Sequence, residues 1–358
     1  MTPYLYEAKE KNYLTNGLGP IADATSCVVT EELNGAFTLK LTVPRTTARL
    51  SELAPGRQIL VKPNPDDQAQ PFRIQRVSKS LRGELEIYAP HVAYDLARRP
   101  VQLSSAQTFT SVRNMMTFVN AATSLTPFPD FTFSTEEPDL PGSVKLEAPV
   151  YAWDLLAEGD ATFQTFVPGE WKFDRYSITQ KTRRGTDRGY AIAYGKNMTE
   201  LTVESDDENL YTGYLPIWKS GSDLRVGTLR QTTQTIWSTF GFTRILIADC
   251  SEYFNSKPSV SSLDTFAFAK FHENIGQIEL SIKVAAVPPG SRGLQTLEEL
   301  QLGDTITVKH DGLGVDVQTR VVQTVYDVLR ERFTSVDVSN RMIGAATTIA
   351  RIAKRLPK

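Results

Sequence analysis

Histidine, cysteine and clustered carboxylates carry much of protein chemistry, and this sequence is sparing with the first two. Its histidines are His91, His272 and His310. His91 follows a strand-like run in Tyr88-Ala89-Pro90-His91-Val92-Ala93-Tyr94-Asp95-Leu96. His272-Glu273-Asn274-Ile275-Gly276 opens like the helix of a zinc protease, but Gly276 stands where a second imidazole is needed. His310 precedes Asp311-Gly312 and reads as a turn residue. Asp206-Asp207-Glu208 has the charge to hold a cation but not the spacing of a calcium loop. Neither Cys27 nor Cys250 lies in a CxxC or protease-like setting, and no Gly-x-Ser-x-Gly elbow or phosphate-cradling glycine loop occurs. The sequence therefore predicts no catalytic, cofactor-binding or metal-ligating residue. A carboxylate pair for glycoside hydrolysis is spatial rather than sequential, and nothing in the sequence points to one.

Two basic clusters remain. Lys181, Arg183, Arg184 and Arg188 surround Asp187, and Arg351, Lys354, Arg355 and Lys358 close the chain. Both read as solvated segments with the capacity to touch phosphates. Ile349, Ile352, Ala353 and Leu356 recur at helical spacing, which predicts a short amphipathic helix over 346–358. Packing on its own domain and docking on a partner are both open to it.

Composition bounds the rest. The chain has 358 residues, 41% hydrophobic and 22% charged, which suits two to three globular domains. Lys plus Arg number 39 against 41 Asp plus Glu, so no basic excess marks a dedicated nucleic-acid binder. Two cysteines make no disulfide framework and predict buried thiols in a reducing compartment. No apolar run approaches the ~20 residues of a membrane span, and the first residues lack the apolar core of a signal peptide.

The elements expected around these residues are mostly strands. Cys27–Leu33 and Ala36–Val43 flank Asn34-Gly35, a pair suited to a two-residue type I′ turn. Strands follow at 58–62, 72–77 and 84–88, giving an antiparallel β domain over 1–98. An α+β insertion over 99–195 is expected to hold a helix at 110–122, a breaker-rich loop at 126–141 and a helix at 152–157. Its strands fall at 171–174, 176–181 and 190–194. A second β domain over 196–345 carries strands at 201–204, 209–216, 276–284, 304–309, 319–322 and 332–338. The stretch 220–260 has no readable pattern.

The late strands echo the early ones. Gly56-Arg57-Gln58-Ile59-Leu60-Val61-Lys62 matches Gly303-Asp304-Thr305-Ile306-Thr307-Val308-Lys309 at an offset of 247, and Phe72-Arg73-Ile74 falls on Thr319-Arg320-Val321 at the same offset. Gly35–Val43 falls on Gly276–Val284 at an offset of 241. One offset kept across a variable loop favours a duplicated β domain over chance alternation. Three chains with two copies each would form a six-unit ring.

Several stretches in order also resemble a known family. They are Ser26–Gly35, Phe72-Arg73-Ile74, His91–Leu96, Arg183–Gly189, Tyr194–Thr199, Leu302–Val308 and Arg330–Ser335. They resemble the N-terminal hub of the prophage tail endopeptidase family, the tail-associated proteins of long-tailed phages. The resemblance implies a mainly β, baseplate-hub-like fold with two tube-like domains. It also implies a homotrimer at the tail tip of the virion, made in the host cytoplasm, and with no catalytic motif in the sequence the expected role is structural rather than enzymatic. The implied partners are a hexameric distal tail protein, a tape-measure protein and a fibre or spike, with DNA passing non-specifically. No catalytic residue carries over, because no catalytic motif is matched. Two other readings compete: a cell-wall hydrolase using scattered carboxylates or His91, His272 and His310, and the same hub in a phage-derived bacteriocin or injection particle.

Overall fold

A computed structural model describes residues 1–339 except 80–82, 102–106, 112–113, 115–116, 120–130, 137–140, 147–148, 157–168, 194–197, 207–209, 232–240, 252–253, 255, 272–274, 276–278, 287–299 and 314. The chain opens with β1 (Tyr4–Tyr6), β2 (Gly19–Pro20), β3 (Ser26–Glu32), β4 (Phe37–Pro44), β5 (Gln58–Val61), β6 (Gln70–Arg73), β7 (Arg76–Lys79) and β8 (Glu84–Pro90). A 3-10 helix, Val92–Arg98, leads to β9 (Gln107–Ser111), β10 (Thr132–Thr135), β11 (Pro141–Leu146) and a short helix, Ala152–Leu156. Then come β12 (Glu170–Asp174), β13 (Ser177–Lys181), β14 (Asp187–Ala193) and β15 (Met198–Asp206). β16 (Gly213–Ser220), β17 (Asp223–Val226), β18 (Arg230–Gln231), β19 (Ile245–Asp249) and the helix Val260–Phe271 follow. The last strands are β20 (Glu279–Ala286), β21 (Thr305–His310), β22 (Val315–Asp327) and β23 (Arg332–Ser339).

By its internal contacts the chain divides into two units, Met1–Thr202 with Ile282–Lys358, and Val203–Ser281. The first is built on a sheet whose main path runs β15-β20-β23-β22-β3-β4-β8-β7, with β21 and β14 branching from β22. Strict alternation makes this sheet two-faced. Cys27, Val29, Phe37, Leu39, Leu41, Val43, Leu85, Ile87 and Ala89 are buried on one side. Each of the Val, Leu, Ile and Phe side chains among them contributes about 1.5–3 kcal/mol when fully buried, so the alternation fixes the register. A second cluster gathers Trp153, Leu155 and Leu156 of the short helix with Trp171, Tyr176 and Ile178 of the β12–β13 hairpin. The second unit packs Tyr214, Trp218, Ala248 and Cys250 against Leu263 and Ala267 of its helix.

The sequence-based elements are corrected at five places. The Asn34-Gly35 turn is not a two-residue turn: Glu32 N–H donates to Ala36 C=O, so Leu33, Asn34 and Gly35 all lie in the loop. Only Asn34 is left-handed there, at φ 54°, and its side chain donates to Gly169 C=O and accepts from Trp171 N–H. The strand expected over 72–77 is two strands in different sheets, broken at Ile74-Gln75. The loop expected over 126–141 contains β10, held by parallel pairing with β13 and by burial of Phe133. Within the unreadable stretch lie β17, β18 and β19, and the helix Val260–Phe271, capped by Ser259, had not been expected at all. Of the helix expected over 110–122, Asn114 and Thr117–Val119 are helical, Thr110 and Ser111 are in β9, and 112–113, 115–116 and 120–122 lie outside the described residues. The C-terminal segment 346–358 also lies outside them.

The two copies of the repeat agree at the level of individual bonds. Gln58 pairs with Arg73 and Ile59 with Phe72; 247 residues on, Thr305 pairs with Arg320 and Ile306 with Thr319. Gly56 N–H donates to Ile74 C=O, and Gly303 N–H donates to Val321 C=O. Ile74 N–H returns to Arg57 C=O, and Val321 N–H returns to Asp304 C=O. Gly56 and Gly303 share a left-handed backbone, at φ 93° and 91°. Topology repeats as well: β3-β4-β8-β7 in the first copy corresponds to β15-β20-β23-β22 in the second.

Candidate functional site

The motifs picked out in the sequence meet at two related arginine clusters. In the first copy, Arg73 on β6 donates through Nε to both oxygens of Asp95 and through Nη1 to Gly56 C=O at 2.8 Å. Asp95 reaches it because His91 caps the 3-10 helix, its Nδ1 accepting Ala93 N–H. In the second copy the matching Arg320 donates to Gly303 C=O, but its carboxylate comes from Glu170 on β12, at 2.7 and 3.1 Å. The same chemical slot is thus filled from different elements.

Glu170 also ties in the loop before β14. Its Oε2 accepts Arg184 N–H, and Arg184 in turn pairs with Glu31 of β3 at 2.8 Å. Arg184 Nη1 donates to Trp171 C=O, and Arg320 Nη2 donates to Arg184 C=O. Arg184 and Glu31 are 8% and 5% exposed. The expectation that the Arg183–Arg188 segment is solvated therefore fails for Arg184, which is a buried structural cation. Two glycines permit this closeness: a Cβ at Gly185 would sit 2.2 Å from Asp304 N, and one at Gly303 would sit 2.3 Å from Arg184 O. Asp304, fully buried, locks the contact by accepting Thr186 N–H and Gln301 N–H. The network joins β3 of the first copy, β21 and β22 of the second, and β12 between them.

The histidines do not form a site among the described residues. His91 is fully buried between Phe37, stacked at 4.7 Å, and Phe72, edge-on at 5.7 Å. Since Nδ1 accepts a backbone N–H, Nε2 carries the proton and donates to Gln70 Oε1 at 3.2 Å. Desolvation pushes the imidazole down from 6.5 to about 3. The unfolded chain thus binds this proton at a higher pH than the folded chain, so the group's contribution is complete above pH 6.5 and is lost as pH falls towards 3. A His91→Gln variant is expected to be less stable at pH 7, yet to lose less stability than wild type between pH 6.5 and 4; urea midpoints across that range read it out. His310 ends β21, and His272 lies outside the described residues, as do Asp207 and Glu208. No group of three or more His, Cys, Asp or Glu side chains suited to a metal occurs among the described residues. Cys27 and Cys250 are buried and in no disulfide, and burial raises the Cys27 thiol.

The other notable feature is how the repeats join. β22 of the second copy pairs antiparallel with β3 of the first, from Gln323↔Glu32 to Asp327↔Val28. The path therefore ends in β15 and β7, the two strand types that meet at this internal seam. The face of the sheet opposite the core carries Ser26, Val28 and Thr30 beside Thr42, Lys40 and Thr38, then Glu86 and Tyr88 beside Ser78 and Arg76. It is hydroxyl-rich and mixed in charge.

Three solved structures with a similar fold are of phage or prophage tail proteins. Residues 186–344 match the family model described as prophage endopeptidase tail. The chain's structure is similar to prophage tail protein gp18 from Listeria monocytogenes EGD-e, with a TM-score of 0.63 at 13% identity over 99% of each chain. It is also similar to the 43 kDa tail protein of prophage MuSo2 from Shewanella oneidensis, with a TM-score of 0.65 at 11% identity over 95% of this chain and 98% of that one. A tail protein from Neisseria meningitidis MC58 gives 0.60 at 14% identity over 97% and 98%. No curated protein matches the chain in sequence. No helix among the described residues is long and apolar enough to cross a membrane. Residues 186–344 thus carry the prophage endopeptidase tail pattern, on a chain whose whole length has the fold of prophage tail proteins.

Proposed function

We propose that this chain is a non-enzymatic hub at the tip of a phage tail, in which three copies close head to tail into a ring. The observation that carries the reading is the internal β22·β3 seam. A chain that joins its own repeats in this way leaves β7 and β15 as the same pair of edges at its two ends. Joining them between chains repeats the seam, and such a head-to-tail contact forms a closed ring when its rotation closes. Three chains then supply six repeats, which suits a hexameric distal tail protein on one side. Edge charges agree: β7 carries Arg76 and Lys79, whereas β15 carries Glu200, Glu204 and Asp206.

The ring also orients the sheet. The core face carries the sheet of β5 and β6 and the β12–β13 hairpin, so it faces outward and leaves the hydroxyl-rich face to the bore. A bore without a basic excess retains few phosphates, which suits DNA passing at ejection. The tape-measure protein and a fibre or spike are the remaining partners of a tail-tip position in the virion. The word endopeptidase belongs to the matched family's description; here the arginine–carboxylate clusters act as structural ties, and His91 is sealed in the core.

Cysteine scanning tests the seam. Ser78→Cys combined with single cysteines along 199–205 is expected to give interchain disulfides, and trimers on denaturing gels, for a subset of positions set by register. Monomers at every position would refute the seam.

A further inference from the structure

The sheet of the second unit has an apolar face and two open edges. β16 pairs antiparallel with β17 and β18 along one side and parallel with β19 along the other, so β17 and β19 are its outer strands among the described residues. Tyr214 and Trp218 of β16, with Ala248 and Cys250, take the side packed by the helix Val260–Phe271. Strand alternation then puts Leu215, Ile217, Leu224, Val226, Ile245 and Ile247 together on the opposite side. Of these, Leu224, Val226 and Ile247 are 52%, 44% and 64% exposed. Lys219 and Asp249 stand at one end of this aliphatic block.

The edges are open at the same residues. Gly227 N–H donates to Pro216 C=O, so alternate backbone groups of β17 face β16 and those of Leu224 and Val226 face away. Thr212 N–H donates to Arg244 C=O and Cys250 N–H to Ile217 C=O, so the groups of Ile245, Ile247 and Asp249 also face away from β16. A sheet with a helix on one face and bare aliphatics on the other lacks a layer, and an open edge is a template for another strand. A helix laid on the face would leave both edges open. One added strand would leave an edge and most of the face. Further copies of the same sheet, joined β17 to β19, supply both edges and the missing layer at once.

We propose that the second units of three chains join edge to edge, β17 of one beside β19 of the next, into a closed barrel with the helices outside and the aliphatic side chains within. The number three rests on the ring reading above. Because β17 runs against β16 and β19 runs with it, each joint is antiparallel and brings Leu224 and Val226 to Ile245 and Ile247. Three strands from each chain give a barrel of about nine, a width that interior side chains fill, and closure removes every edge. Lys219 and Asp249 fall at its mouth, where both stay hydrated. The unit begins inside β15, the strand whose edge closes the ring, and its β17 edge is only four residues long. The ring therefore gathers the units, and the barrel forms on it.

Hydrogen–deuterium exchange of the full-chain trimer, read by mass spectrometry with fragmentation to single amides, tests the barrel. The N–H groups of Leu224, Val226, Ile245 and Ile247 are expected to exchange at least about a hundredfold more slowly than in the monomer, prepared as the β7 edge variant Val77→Pro. Ile247→Asp puts an unpaired carboxylate inside the barrel and leaves the unit's own core intact, since Ile247 is exposed in the single chain. Its trimer, verified by native mass, is expected to exchange as fast as the monomer at both edges. A wild-type trimer in which either edge exchanges fast overturns the barrel and leaves the ring reading standing. Protection that persists in the monomer overturns it too, because the cover then lies within one chain. Protection that persists in the Ile247→Asp trimer overturns the enclosure of this face. A wild-type chain that never forms trimers overturns the ring reading itself, and the barrel with it.

Discussion

Replacing Glu170 by alanine is expected to destabilise the first unit by about 3–5 kcal/mol, because it removes the carboxylate partner of the Arg320 guanidinium and the acceptor of the Arg184 N–H at a buried junction. Glu170 is 3% exposed and serves Arg320 through two bonds and Arg184 through its N–H. Removing one partner of a buried pair leaves a charge without compensation, which costs more than the pair contributed. Glu170→Gln keeps one acceptor oxygen and is expected to lose about 1–3 kcal/mol instead. Pairing Glu170→Leu with Arg320→Leu removes both charges, and part of the loss should return. The Arg184 N–H, which loses its acceptor when Glu170 becomes leucine, limits that recovery. Urea unfolding of the four proteins measures these values. A loss below about 1 kcal/mol in Glu170→Ala would show that water reaches the junction and that the cluster is not its tie.

The second large effect concerns assembly rather than folding. His91 N–H donates to Phe37 C=O, so the odd-numbered backbone groups of β8 face β4, and Glu86 and Tyr88 face β7. Their register partners, Ser78 and Arg76, face β8 in return, which turns the N–H of Val77 outward. Val77→Pro therefore deletes a donor from the open edge and retains the β7·β8 ladder. The loss of about 1–3 kcal/mol recurs at each seam of a closed ring, so the variant is expected to be a folded monomer at micromolar concentration. Val77→Thr keeps the N–H and should assemble like wild type. Equal assembly by Val77→Pro and wild type would remove β7 from the interface.

Much of the fold was legible in the sequence because alternation reports burial directly. Phe37, Leu39, Leu41 and Val43 alternate with polar residues and are buried, and the shared offset of the Gly56 and Gly303 segments reappears as shared strand register. Legibility failed where tertiary contact decides. Ile74-Gln75 contains neither Gly nor Pro, so nothing local announces that β6 and β7 part there. β10 lies among breakers and is a strand because β13 receives it. Arg184 looked like one of four solvated cations, and only the fold brings Glu31 and Glu170 to it. Glu170 itself carried no sequence signal, since a lone carboxylate before Trp171 is unremarkable until Arg320 is placed beside it.

Closure of three chains into a ring through edges β7 and β15 is read out by native mass spectrometry of the purified full chain. The expected result is a species of three times 39.8 kDa that dissociates in the Val77→Pro variant and persists in Val77→Thr. A wild-type chain that remains at 39.8 kDa across the micromolar range would contradict it.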